Sequence, residues 1–255
     1  MGVIKEVCRF FHMSAKRTER LKSMISDCCP EQKKKKLISL CETPRVERHD
    51  SVFLFKDILE PILPSLLKIE ESSDSAPKAH SLSSSISQFQ FLVNLFVLSR
   101  MMSTTHNLSE KLQKKNIDLS QAIANVTSVL DLLSKQRVNA NDNFKTLYAQ
   151  VKEIAAKLDI KEEIPRVCRL QTARNNVPYS TEEEYYRRAV YVPYLGDFCN
   201  SLKERFESHK ETVASLQHIL PEFCTKTDFC SLEAAFNFYE EDLSHKEVVQ
   251  SEFML

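Results

Sequence analysis

A chain of 255 residues with only two glycines, Gly2 and Gly196, has a short menu of folds open to it. Phosphate-cradling loops, nucleophile elbows, tight hairpins and dinucleotide-binding turns all call for backbone conformations that glycine supplies at little steric cost. Helices make no such demand. The scarcity therefore points away from most common enzyme architectures. Apolar residues form 42% of the chain and charged residues 27%, which is enough for a packed core in one large domain or two small ones.

Periodicity agrees with helix throughout. Ile4, Val7, Phe11, Leu21, Met24 and Ile25 predict a basic amphipathic helix over residues 4–27. A second helix is expected over Val46–Ile69, with Phe55, Leu59, Ile62, Leu66 and Ile69 on one stripe and kinks at Pro61 and Pro64. The serine-rich stretch 70–85, EESSDSAPKAHSLSSS, has the composition of a flexible connection. Phe91 to Leu98 reads as a buried helix, far shorter than a bilayer span. From Leu119 through Phe144 to Leu158 a 4-3 spacing predicts one helix of about 40 residues, roughly 60 Å long at 1.5 Å per residue. Such a seam serves either an intramolecular bundle or a self-associating coiled coil.

Beyond Ile164 and Pro165 the chain reads as irregular up to Tyr179. Ser180 is then the expected N-cap of another helix, with Glu183 three residues on and Pro193 bending or interrupting it. Shorter helices are expected near 209–219 and 230–241, on either side of Pro221. No segment alternates apolar and polar residues, so the expected fold is all-α: an elongated helical bundle with one long helix, a single domain over 1–255. Within it, residues 1–45 form a basic N-terminal helix and turn, 46–160 the long-helix bundle, and 161–255 the acidic C-terminal helices.

Charge is unevenly spread, although the formal total is zero. Residues 1–50 carry 12 Lys and Arg against 7 Asp and Glu, whereas residues 181–255 carry 7 against 15. This asymmetry fits a basic end facing an anionic partner, and it also fits two solvated helix faces. Eight cysteines without a repeating spacing, and a start lacking an apolar leader, imply reduced thiols in the nucleus or the cytoplasm. Neither Cys8 with His12 nor the group Cys28, Cys29, Cys41 and His49 matches a zinc template, so no metal or other cofactor is expected. The acidic runs Glu182–Glu184 and Glu240–Asp242 read as solvated helix ends, not as a catalytic pair, and no catalytic residue is assigned.

Duplex DNA is the partner that the basic end would suit. Lys16, Arg17, Arg20 and Lys22, the run Lys33, Lys34, Lys35 and Lys36, and then Arg45 and Arg48 would together offer a cationic surface to phosphate. Base stacking has less support in a chain without tryptophan. The lysine run reads equally as a nuclear-import patch or a solvated loop. A protein partner or a homodimer through apolar helix faces is the alternative, and no membrane association is expected.

The stretch LCETPRVERHD, residues 40–50, resembles a segment of the hAT-superfamily transposases and their domesticated relatives. FFHMSAKRTERL before it, and LSEKLQKKNIDLSQAI, YYRRAVYVPYL and SLKERF after it, recur in the same order, so the resemblance runs from about residue 5 to 243. It implies the all-helical domain inserted into an RNase H-like catalytic core, whose acidic residues would lie before Met1 and after Leu255. That in turn implies a catalytically inactive, transposase-derived protein, nuclear, binding DNA or acting as a regulator through protein contacts alone. Thr43 matches the family pattern. Pro44 and Arg45 stand where the family carries arginine and the base-stacking tryptophan, so a guanidinium suited to phosphate replaces the indole.

Overall fold

The computed structural model describes residues 1–34, 36–38, 45–72, 75–112, 119–165, 179–216, 218 and 229–239, and it is all-α, with no strand among them. The chain divides into two compact units: Met1–Ser109 with Gln136–Leu195, and Glu110–Lys135 with Gly196–Leu255.

Several expected helices are divided, each for a local reason. Residues 4–27 form two helices, α1 (Gly2–His12) and α2 (Ala15–Cys28). Ser14 interrupts them: its backbone is extended and its hydroxyl accepts from the Arg17 N–H at 3.5 Å as the N-cap of α2. The second expected helix is also two, α3 (Arg45–Asp57) and α4 (Leu59–Ser72). The break at Ile58 is the work of Pro61. Proline has no N–H for the carbonyl four residues back, Asp57, and its ring crowds that carbonyl, so the chain turns there and Pro61 falls in the first turn of α4. Pro64 stays inside α4, where Ser65 Oγ donates to the Pro61 carbonyl at 2.6 Å.

The expected flexible connection over 70–85 is largely helix instead. Helix α4 continues to Ser72, and α5 (Ala76–Ile86) buries Ala79, Leu82, Ser83 and Ile86. Four apolar or small residues on one stripe outweigh the serine content, and Ser83 Oγ and His80 Nδ1 both donate to the Glu70 carboxylate, at 3.1 and 2.7 Å. Helices α1, α2, α4 and α5 pack on one another around Val7, Phe11, Leu21, Ile25, Leu66, Ile69 and Leu82.

Helix α6 spans Phe89–Leu112 and contains the expected buried run. Among the described residues no single helix is long and apolar enough to cross a membrane; α5 and α6 pass only as a pair bent by 69°. The one long helix expected from 119 to 158 is two, α7 (Leu119–Val138) and α8 (Ala140–Lys157). Asn139 turns out of helical geometry at φ −95, ψ 31, and the Asn143 side chain donates to the Gln136 carbonyl at 3.2 Å, a group that a continuous helix would have satisfied with backbone.

Ser180 is not the N-cap of the next helix. Thr181 is: its hydroxyl accepts from the Glu184 N–H at 3.2 Å, while the Glu184 carboxylate accepts from the Ser180 N–H at 2.8 Å. That N–H, helped by Arg188 and Arg187, holds the Glu184 carboxyl below the usual carboxylate range. From there α9 (Glu182–Tyr186) widens into a π-turn over Arg187–Tyr191 before α10 (Val192–Leu216). The wider turn ends two residues before Pro193, the residue that cannot donate within a regular helix. Helix α10 runs on to Leu216, so the separate helix expected from 209 is its continuation. A short 3-10 turn, Phe229–Leu232, leads into α11 (Glu233–Phe238), where residues 230–241 were expected to be helical. Pro221 lies outside the described residues.

The second core of the first unit is aromatic. Phe144 stacks within 5.5 Å of Tyr148 and 5.2 Å of Tyr191, and Phe89 lies 5.5 Å from Tyr186. Two of the buried phenols donate within it: Tyr186 Oη to the Glu163 carbonyl at 2.6 Å and Tyr148 Oη to Glu162 at 2.5 Å.

Candidate nucleic-acid interface

Helix α2 carries the first group of expected phosphate ligands, and the fold uses most of them internally. The Arg17 guanidinium lies 4.1 Å from the centroid of the Phe10 ring, a cation–π contact that ties α2 to α1. Arg20 donates to the Lys68 carbonyl at 3.2 Å, which ties α2 to α4. Lys22 pairs with Glu19 at 2.5 Å, one turn back on its own helix. Lys16 is exposed. The stripe of cations legible in the sequence is thus partly a packing device.

Lys33, Lys34 and Lys36 differ. All three are exposed, on a segment anchored at both ends. The Gln32 N–H donates to the Cys29 carbonyl at 3.0 Å, holding the segment to the end of α2. Leu37 is buried, and its carbonyl accepts from His12 Nε2 at 2.8 Å. His12, considered in the sequence as a metal ligand, is therefore the clasp that holds the lysine segment against α1. Lys35 and residues 39–44, with Thr43 and Pro44 among them, lie outside the described residues. Arg45 and Arg48 fall in the first turns of α3, and their side chains lie outside them too. Lys5 and Arg9, which sequence reasoning did not single out, add exposed cations to α1; their alternation with buried Ile4, Val7 and Cys8 was the available signal.

Other chemistry raised by the sequence resolves differently. Cys8 is buried in the α1 core, which pushes its thiol up to about 12, a group suited to packing and not to nucleophilic or ligand roles. Among the described residues no three His, Cys, Asp or Glu side chains are placed to hold a metal.

One constellation was missed. His49, 7% exposed, lies 5.5 Å from the His106 ring of α6, with Phe53 against both, and His106 Nε2 is 3.7 Å from an Asp50 oxygen. His49 Nδ1 has no hydrogen-bond partner, and burial, with His106 adding to it, lowers the pKa of this imidazole. The sequence lists both histidines, but 57 positions separate them and no periodicity links α3 to α6.

Set against known proteins, no family model matches the chain and no solved structure matches it. Over 99% of its length it is 28% identical to the mouse (Mus musculus) 52 kDa repressor of the inhibitor of the protein kinase, and likewise over 99% it is 27% identical to the human (Homo sapiens) protein of that name. The chain spans about a third of the length of these relatives, 35% and 34% respectively.

Proposed function

We propose that this chain is a transposase-derived regulatory protein without catalytic activity, nuclear, that meets duplex DNA through the basic segment Lys33–Lys36 and the neighbouring cations of α1 and α2. Two supports carry the reading. Similarity to proteins named as repressors extends over almost the whole chain, and the motif order that resembles hAT-superfamily transposases runs from about residue 5 to 243. The observation that bears most weight is structural: three exposed lysines sit on a segment clasped by Leu37 and His12, so presenting them to a polyanion costs less conformational entropy than ordering a free loop would.

Neutralising phosphate contacts releases counterions, so affinity should fall with salt, with a slope of about −0.9 per contact. Fluorescence anisotropy on a labelled duplex across a salt series is the test. Replacing Lys33, Lys34 and Lys36 by Gln should flatten the log–log slope by about 2 to 3. An unchanged slope removes the basis of the reading.

A second reading has its own observation. Arg17, Arg20 and Lys22 are engaged within the chain, so three of the cations that phosphate would need are already in use. Regulation through helix-mediated protein contacts alone would make no use of the lysines. It predicts no salt-dependent DNA binding at all.

A further inference from the structure

Three helix faces in the first unit converge on a cleft of about 440 Å³, within the range of small-molecule sites. Positions three, four and seven apart on a helix share one face, and where helices face one another that face is ordinarily apolar. Here it is not. From α6 the wall presents Ser99, Arg100 and Ser103; from α8 it presents Asn143, Thr146 and Gln150. Helix α3 contributes Lys56 and Asp57. Only Phe53, Phe96 and Leu147 supply the apolar part.

The chemistry of these walls is specific. Lys56 and Arg100 are two cations from different helices, against one carboxylate. Lys56 Nζ is held 4.8 Å over the Phe96 ring, so a cation and an aromatic surface meet at one place. Ser99 is 6% exposed and lies on the wall of the cleft, where a buried hydroxyl gains from a polar neighbour. Gln150 brings an amide donor and acceptor, and Asn143, two turns before it on α8 and already donating to the Gln136 carbonyl, brings its amide oxygen. Paired cations with hydroxyls suit a phosphoryl group, aromatic surface suits a flat ring, and amides suit the polar edge of such a ring.

We propose that this cleft binds a nucleoside monophosphate, its phosphoryl group met by Arg100 and by Lys56, which Phe96 holds in place, and its base laid on Phe53. The site shares no residue with the basic N-terminal face, so either proposal can fail without the other.

The test is calorimetric titration of the full chain with adenosine monophosphate, adenosine and inorganic phosphate. The nucleotide binds, and adenosine and phosphate each bind at least about tenfold more weakly, since each lacks one half of the interaction. Arg100→Gln and Lys56→Gln each weaken nucleotide binding roughly tenfold or more, the loss of one charge-assisted contact. Arg100 is exposed, so its variant keeps the fold and carries the test should Lys56→Gln lose helicity by circular dichroism. Absence of nucleotide binding overturns the proposal. So does binding that both variants leave unchanged, or phosphate binding as tight as the nucleotide.

Discussion

Asp159 sits where most proteins place glycine. Its φ of 53 makes it the one non-glycine residue among those described with a positive φ, immediately after α8. The Ile160 N–H donates to the Ala155 carbonyl at 2.8 Å and the Asp159 N–H to the Ala156 carbonyl at 3.3 Å. That is the crossed bonding of a Schellman motif, which needs a left-handed residue at the first position past the cap. Ile160 is buried behind it, supplying the apolar contact that accompanies the motif. An L-residue pays about 1–2 kcal/mol for left-handed geometry, less for aspartate, whose short polar side chain bonds locally. Asp159→Val, β-branched and without that relief, should therefore destabilise by about 1–2 kcal/mol. Asp159→Gly removes the steric term but adds chain entropy to the unfolded state, leaving stability within about 1 kcal/mol of the parent. The measurement is thermal denaturation by circular dichroism with hydrogen exchange at the Ile160 amide, which closes the motif. Valine speeds exchange there and glycine does not. If the two variants melt alike, or if valine leaves Ile160 protected, the left-handed cap is not what ends α8.

Phe144, fully buried between Tyr148 and Tyr191, should lose about 3–5 kcal/mol on Phe144→Ala, read by denaturant titration. Tyr186→Phe keeps the ring but orphans the Glu163 carbonyl, for a loss of about 1 kcal/mol or somewhat more in the same assay. His49 has a folded-state pKa below its unfolded value, so the unfolded chain binds the proton first: stability is full above about pH 6.5 and declines as pH falls through that value toward the lowered one. Urea midpoints between pH 8 and 5 test this, and His49→Phe should reduce the acid-side decline.

How much of this was legible beforehand depends on whether the deciding interaction is local. The disturbances near Pro61 and Pro193 are one-turn effects, carried by residues that a reader can see side by side; the Ser14 cap is as local, yet residues 4–27 read as one helix. Even there the position slipped: the cap expected at Ser180 falls on Thr181, whose hydroxyl takes the Glu184 N–H, while the Glu184 carboxylate reaches one residue further back to the Ser180 N–H. The stretch 70–85 misled for a different cause. Its serines signal a loop by composition, and only the packing of Ala79, Leu82 and Ile86 against α1 and α4 makes a helix of it.

The residues themselves determined that this protein is helical. Two glycines, no alternating strands and apolar residues three and four apart leave little else, because helix geometry is settled within one turn of chain. Which cations are available to a partner was decided only in three dimensions. Arg17 reaches a ring on another helix, Arg20 reaches a carbonyl 48 positions away, and His12 reaches one 25 positions away. The histidine pair and the polar cleft are of the same kind, each assembled from helices distant in the chain, and no periodicity within a helix encodes which neighbour its face will meet.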